Sequence, residues 1–171
     1  MVVQTSPAII YPDCDGNPMS DNTKQFRWIV TIKENLDLLF ADNPDVFVAG
    51  DLLWYPVEGS NTIRIAPDAM VVFGRSKGDR GSYQQWREED IPPQVVFEIL
   101  SPGNRLGEMS KKLKFYERYG VEEYYIYDPD SRPVALRWRS HFGYPQHENL
   151  KSARSHSQHP IRPHGGRSLC H

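Results

Sequence analysis

The sequence contains few cysteines and no long apolar segment. Its 171 residues include only two cysteines, Cys14 and Cys170, near opposite ends of the chain. Two such cysteines do not make the framework of a disulfide-rich secreted domain. No apolar run approaches the roughly 18 residues that cross a bilayer, and the first residues lack the basic and apolar regions of a signal peptide. We therefore expect a cytoplasmic protein with no membrane partner.

An excess of positive charge is also missing. The chain has 20 Lys and Arg against 22 Asp and Glu, which gives a formal net charge of −2. Since a basic domain is the usual electrostatic sign of nucleic-acid binding, any such function must rest on local groups. The hydrophobic fraction of 39% and the charged fraction of 25% are ordinary for one soluble globular domain.

Histidine is absent from the first 140 residues, and all six histidines lie in residues 141–171. This last segment is poor in aliphatic residues and cannot build a core. Three explanations remain open for it: a disordered tail, a His-rich metal-binding tract, or out-of-frame translation after a nucleotide error. The sequence thus divides into an N-terminal arm (1–22), a folded domain (23–140) and an irregular tail (141–171).

The folded domain shows alternating helical and strand patterns. Apolar residues spaced by three and four predict a helix over residues 23–40, capped by Ser20 or Asp21 and stopped by Asn43-Pro44. A second helix is expected over residues 105–119, with Gly120 as its C-terminal cap. Strands are predicted at 46–55, 62–65, 69–73, 95–100, 124–127 and 134–138, with a polar loop over 74–94. The order indicates a mixed α/β domain with one central sheet flanked by helices.

Glu98 is the most informative single residue, because it lies in the apolar run Val95–Leu100. A carboxylate in a central strand is costly to bury unless a cation or hydrogen-bond donors meet it. A glutamate satisfied by a nearby arginine or by backbone would explain the pattern without any function.

Asp68 provides a second carboxylate at the start of the predicted strand 69–73. Adjacent strands can bring Asp68 and Glu98 within a few ångströms, where the two charges repel unless a metal ion lies between them. An all-oxygen pair suits Mg²⁺, or Mn²⁺, better than zinc. A plain turn aspartate is the alternative.

The second predicted helix offers a cation. Its apolar face places Lys112 on the boundary between buried and exposed positions, whereas Lys111 and Lys114 point away from the core. A boundary lysine can extend its stem along the core and deliver its ammonium group to the edge of the sheet. All three lysines could equally form a solvated face.

The motifs together resemble those of a known family. Pro67-Asp68, followed by Glu98 in a strand that ends in Ser101-Pro102, resembles the PD-(D/E)xK nuclease superfamily. The later run is closer still to the Uma family of restriction-endonuclease-like proteins, on Lys112-Leu113, Tyr116, Gly120-Val121, Glu123-Tyr124-Tyr125 and Asp128-Pro129. The resemblance covers residues 67–130 closely and 20–138 loosely, whereas residues 141–171 do not resemble the family.

This resemblance implies a restriction-endonuclease-like fold and a nuclease activity. It implies Mg²⁺ held by Asp68 and Glu98, and a lysine beside the attacked phosphate. We expect the carbonyl of Ile99 to be a further ligand of the ion. The superfamily lysine would stand at Leu100, so the resemblance transfers that role to Lys112 on the following helix. Nucleic acid, with DNA as the expected form, is the expected partner, and a homodimer is one expected assembly.

Further residues are candidates for binding or assistance. The loop 74–94 carries cations that could bind a nucleic-acid backbone: Arg75, Lys77, Arg80 and Arg87. A plain solvated surface loop is the alternative. Glu34 on the first helix could assist the metal site. The rival function is a catalytically inactive protein that keeps the nuclease fold and binds nucleic acid or a partner protein, with the two acids merely satisfied by Lys112.

Overall fold

The structure is a computed structural model that describes residues 9–16, 18–101 and 106–130, together with the backbone of 136–139. The tail predicted over 141–171 lies outside these residues, and the proposed domain boundaries stay a prediction.

One mixed sheet and two helices form the domain. The sheet has five strands, β1 (Val46–Ala49), β3 (Ala69–Phe73), β5 (Val95–Ile99), β6 (Glu123–Tyr127) and β7 (Leu136–Arg139), in the order β1-β3-β5-β6-β7. A small second sheet pairs β2 (Trp54–Tyr55) with β4 (Tyr83–Gln84), and a short 3₁₀ helix follows (Gln85–Arg87). The helices are α1 (Thr23–Leu39) and α2 (Leu106–Arg118).

The strand directions explain where the helices lie. Every pair in the main sheet is antiparallel except β5 and β6, which run parallel. A parallel pair needs a crossover connection, and α2 provides it. Phe40 and Trp28, from α1 and its C-terminal cap, contact Phe73 and Tyr127, whereas Tyr116 of α2 contacts Tyr124 on the opposite face. The predicted mixed α/β fold with a central sheet flanked by helices is therefore confirmed.

The apolar runs form the interior strands, as their composition predicts. In β3 the first four residues are buried, so both faces of the strand are covered. The main core lies between the sheet and α2 and comprises Phe47, Ala49, Trp54, Met70, Val72, Tyr83, Val96, Tyr116, Val121 and Tyr124. This core holds the strands that carry the two predicted acids.

Two strand predictions and one loop prediction need correction. Residues 62–65 do not form a strand, and only Ile65 makes a single antiparallel bridge, to Trp54. The predicted strand 46–55 is interrupted because Asp51 has a positive φ of 49° and turns the chain. The predicted loop 74–94 includes β4 and the 3₁₀ helix.

The first helix also differs from its prediction. Asn22 is its N-cap, since its side-chain oxygen accepts from the N–H groups of Lys24 and Gln25. The predicted apolar stripe is only partly buried, because Ile29 is buried whereas Phe26 is 46% exposed. The buried line of α1 instead includes the polar side chain of Gln25. Gly120, with a φ of +97°, follows α2 as predicted.

The cations of residues 74–94 stabilise their own segment. The Glu88 carboxylate accepts from Arg75 Nε at 2.9 Å and from Arg80 Nε at 2.7 Å, and Arg80 also stacks over the Phe47 ring. Lys77 donates to the carbonyls that follow α1. This segment connects the end of β3 to the start of β5, and Asp68 and Glu98 lie towards the other end of these two strands.

Glu88→Gln tests this cluster through its pH dependence. Burial would raise the pKa of Glu88, but Arg80 and Arg75 outweigh it and lower the pKa below the ordinary 4.5. A lowered pKa stabilises the fold above the unfolded-state value, and this contribution is lost as pH falls through the folded-state value. We expect the variant to lose about 1 to 3 kcal/mol of unfolding free energy near neutral pH, with the difference shrinking below about pH 4.5.

The control for this experiment is Glu89→Gln. The Glu89 side chain pairs with Arg75 but is 76% exposed, so urea unfolding should show little change. Equal losses in the two variants, or a loss at Glu88 that is independent of pH, would contradict the assignment.

Candidate functional site

The sheet register brings Asp68 and Glu98 together. β3 and β5 are antiparallel with Ala69 opposite Phe97. One further step along the ladder places Asp68 opposite Glu98, and residues directly opposite in an antiparallel pair have neighbouring side chains. Two carboxylates therefore converge at one end of adjacent strands.

Asp68 is anchored to the neighbouring strand. Its Oδ2 accepts a 2.6 Å hydrogen bond from the Ile99 N–H, and the residue is 7% exposed. Burial and the nearby charge of Glu98 raise its pKa to about 7, against the opposing effects of the Ile99 N–H and Lys112. A carboxyl group with this pKa gains strongly from any cation placed beside it.

Glu98 is completely buried, and both of its oxygens have partners. Oε2 accepts from Lys112 Nζ at 2.7 Å, and Oε1 accepts from the Tyr116 hydroxyl. Burial raises the pKa of Glu98, while Lys112 and Tyr116 oppose that effect. Each carboxylate oxygen has two lone pairs, so these bonds leave acceptor capacity on Glu98.

Helix α2 has the phase that the sequence predicts. Lys112 is partly buried with a 20% exposed side chain, whereas Lys111 and Lys114 are exposed. Burial would lower the pKa of Lys112, but the charge of Glu98 outweighs it and raises the pKa. Lys112 is therefore held as a protonated ammonium group beside the two acids. Tyr116 follows one helical turn later on the same face.

The carbonyl of Ile99 faces a side chain from the other helix. Gln25 Nε2 donates to this carbonyl at 3.2 Å, and Gln25 Oε1 accepts from the Asp21 N–H. The Asp21 carboxylate in turn accepts from the Ser101 hydroxyl. The N-terminal end of α1 thus fixes the end of β5. Sequence reasoning missed Gln25, although a polar residue one turn before buried Ile29 is a signal that could have found it.

A third acid lies next to the pair. Asp51 is half-buried, and burial together with Asp68 and Asp15 raises its pKa to about 6. Its N–H bonds to the Pro67 and Asp68 carbonyls, at 3.1 Å and 3.3 Å. The sequence analysis missed Asp51 because it treated residues 46–55 as one strand. The turn at this position is what brings the side chain to the site.

A polar cleft of about 500 Å³ opens at this point. Its lining includes the acids Asp51, Asp68 and Glu108 together with Lys112. Ser20 and Asp21, which precede α1, and Arg64, from the loop before Asp68, also line it. Among the described residues, no three His, Cys, Asp or Glu side chains make a metal cluster. Of the predicted ligands, Asp68 lines the cleft, whereas Glu98 is fully buried behind the lining residues.

Other predicted site residues lie elsewhere. Arg75, Lys77 and Arg80 are committed to the contacts described above, and exposed Arg87 lies with Arg80 beside a separate small pocket. They do not line the cleft at Asp68, and their role in substrate binding stays a prediction. Glu34 is exposed, pairs with Lys33 at 3.0 Å and does not line the cleft. Its assistance to the metal site stays a prediction. In the described part of the chain, neither helix is long and apolar enough to span a membrane.

Comparison with known proteins gives the family. A family model described as "Uma2: Putative restriction endonuclease" matches residues 15–165. The match covers most of the chain, which therefore belongs to the Uma2 family. No curated protein matches.

A similar solved structure supports the fold. It is a crystal structure of "a putative nuclease belonging to DUF820" from Anabaena variabilis ATCC 29413, with 15% identity and a TM-score of 0.50. The alignment covers 70% of this chain and 69% of that one. At this identity the likeness concerns the fold alone.

The ion pair between Lys112 and Glu98 makes a prediction about stability. Lys112→Met leaves the buried carboxylate without its cation, so we expect a loss of about 3 kcal/mol in the free energy of unfolding. Combining it with Glu98→Gln should recover part of this loss, since the buried charge is then absent. Urea unfolding near neutral pH measures both.

Lys111→Met is the matched control, because it makes the same change at an exposed position of the same helix. We expect it to change stability by less than about 0.5 kcal/mol. If Lys111→Met and Lys112→Met were equally stable, the ion pair would not support the fold.

Proposed function

We propose that the protein is a metal-dependent endonuclease that hydrolyses phosphodiester bonds in nucleic acid, with DNA as the substrate. The convergence of Asp68 and Glu98 from adjacent strands, with the Lys112 ammonium bonded to Glu98, is the observation that carries this proposal. Membership in a family described as "Putative restriction endonuclease" supports the substrate class.

The chemistry of the donor set fits Mg²⁺ or Mn²⁺. The groups at the strand ends are carboxylate and carbonyl oxygens, and Mg²⁺ is commonly held by one or two carboxylates completed by water and substrate phosphate. At buried Asp68 the Ile99 N–H and Lys112 only partly offset burial and the charge of Glu98, so the pKa stays raised and a bound cation would stabilise the carboxylate. Asp68, Glu98 and the carbonyl of Ile99 would hold the ion, and Gln25 would keep that carbonyl in place.

The bound ion would supply a more acidic water and polarise a phosphate oxygen. Lys112 stabilises the charge that develops on the phosphate oxygens, since it lines the cleft and stays protonated. Glu98 positions Lys112 by accepting its hydrogen bond, and the Tyr116 hydroxyl holds the other oxygen of Glu98. The hydrogen bond from the Ile99 N–H orients the Asp68 carboxylate.

Plasmid cleavage by the purified chain with Mg²⁺ tests the proposal. Asp68→Ala and Glu98→Ala should each abolish cleavage, by at least roughly a hundredfold, and a chelator should do the same to the unaltered protein. Lys112→Ala should reduce turnover with little loss of metal binding. Asp37→Asn, which changes a partly exposed acid of α1 that lies outside the cleft lining, should cleave normally. Cleavage that survives in both acid variants would reject the site.

One observation favours a second function. Both oxygens of Glu98 already accept hydrogen bonds from protein side chains, so the acids could be satisfied without a metal. The chain would then be an inactive member of the fold that binds nucleic acid or a partner protein.

Calorimetric titration with Mg²⁺ distinguishes the two functions. The nuclease proposal predicts saturable Mg²⁺ binding that Asp68→Ala removes. The binding-only function predicts no heat signal from Mg²⁺ binding at a specific site. Absence of metal binding in a folded protein would favour the second function.

A further inference from the structure

The cleft has a charge imbalance that a nucleic-acid substrate must overcome. Five of its lining residues are acidic: Asp15, Asp21, Asp51, Asp68 and Glu108. Only Lys112 and Arg64 are basic. Because Lys112 is bonded to Glu98, much of its charge is already compensated. An approaching phosphate therefore depends on the other cation.

Arg64 is the arginine whose charge remains available in the cleft. Arg75 and Arg80 pair with Glu88, whereas no described carboxylate lies within ion-pair distance of Arg64. Its side chain is partly exposed and makes a hydrogen bond from Nη1 to the Tyr55 hydroxyl at 3.2 Å. Tyr55 is an uncharged partner, so it orients the guanidinium without neutralising it.

The backbone fixes this arrangement. Trp54 and Ile65 exchange two hydrogen bonds, at 2.8 Å and 3.1 Å. Because the bridge is antiparallel, Tyr55, which follows Trp54, lies beside Arg64, which precedes Ile65. Tyr55 is fully buried, and its hydroxyl donates to the Pro12 carbonyl at 2.7 Å. The phenol oxygen is thus held by one bond and accepts the other from Arg64.

The N-terminal arm completes the support. Tyr11 packs edge-on against Tyr55 with ring centroids 5.3 Å apart, and its hydroxyl accepts from the Gly59 N–H at 2.8 Å. Asn61 also donates to the Ile10 carbonyl at 3.0 Å. The described part of the arm is therefore docked against the loop that carries Arg64, and it forms part of the structure that supports the site.

We propose that Arg64 binds a backbone phosphate of the nucleic acid in the cleft, and that Tyr55 is the residue that positions its guanidinium. The inference rests on the proposed function and adds a phosphate contact within the cleft, which Arg75, Lys77, Arg80 and Arg87 do not line. An arginine fork matches two phosphate oxygens and makes strong charge-assisted bonds. The contact involves a phosphate next to the cleaved one, so it affects binding more than turnover.

The experiment measures binding and cleavage separately. Binding of a labelled DNA duplex is followed by fluorescence anisotropy with Ca²⁺ over a range of salt concentrations, and cleavage with Mg²⁺ gives KM and kcat. For Arg64→Gln we expect roughly tenfold weaker binding and a KM raised to match. The kcat should change little. The slope of log affinity against log salt should fall by about one.

Two further variants separate charge from structure. Arg64→Lys keeps the charge, so it should retain the salt slope while losing part of the affinity. Tyr55→Phe keeps the buried ring but removes the hydroxyl. It should raise KM by a smaller factor than Arg64→Gln does. Arg27→Gln is the matched control, since Arg27 is exposed on α1 and lies outside the cleft lining.

The outcomes decide between this inference and the proposed function. If the unaltered protein cleaves DNA but Arg64→Gln binds with unchanged affinity and salt slope, the phosphate contact is wrong while the nuclease remains. If Arg64→Lys loses the salt slope as fully as Arg64→Gln, the effect is structural and the inference is also wrong. If the unaltered protein neither binds nor cleaves, the proposed function fails first.

Discussion

The carboxylate of Glu98 lies wholly inside the protein, where an unpaired charge costs several kcal/mol. The surrounding structure meets this cost with the ammonium of Lys112 and the hydroxyl of Tyr116, both from α2. The crossover helix is therefore tied to the central strand by a polar contact as well as by its apolar face. That contact also fixes the position of the cation that faces the cleft.

The remaining features of the site follow from this arrangement. β3 must pair with β5 in the observed register for its apolar residues to fill the core, and that register sets Asp68 opposite Glu98. The end of β5 is then held by Gln25 from the other helix. Elements on both faces of the sheet thus meet at one strand end, where repulsion between two acids is balanced by hydrogen bonds and a lysine. Rigid positioning of this kind is what catalysis of phosphate hydrolysis requires.

Much of the fold could be predicted from the sequence, because apolar runs and helical spacing report burial directly. The phase of α2 is an example, since it separates Lys112 from Lys111 and Lys114. The residues that were missed depend on long-range geometry. Asp51 reaches the site only because of an unusual turn, and Arg64 only because one bridge sets it beside Tyr55. Conversely, the cations of residues 74–94 look like a binding loop until the structure shows that Glu88 neutralises two of them.

The central claim is that the carboxylates of Asp68 and Glu98 form one cation site with the carbonyl of Ile99. Asp68 immediately precedes β3, and the other two residues end β5. Crystals grown with Mn²⁺ and measured for anomalous scattering test it most directly. The account predicts one anomalous peak in contact with Asp68, Glu98 and the carbonyl of Ile99, close to Lys112. A map without such a peak, in which Lys112 and Tyr116 still donate hydrogen bonds to Glu98, would contradict it.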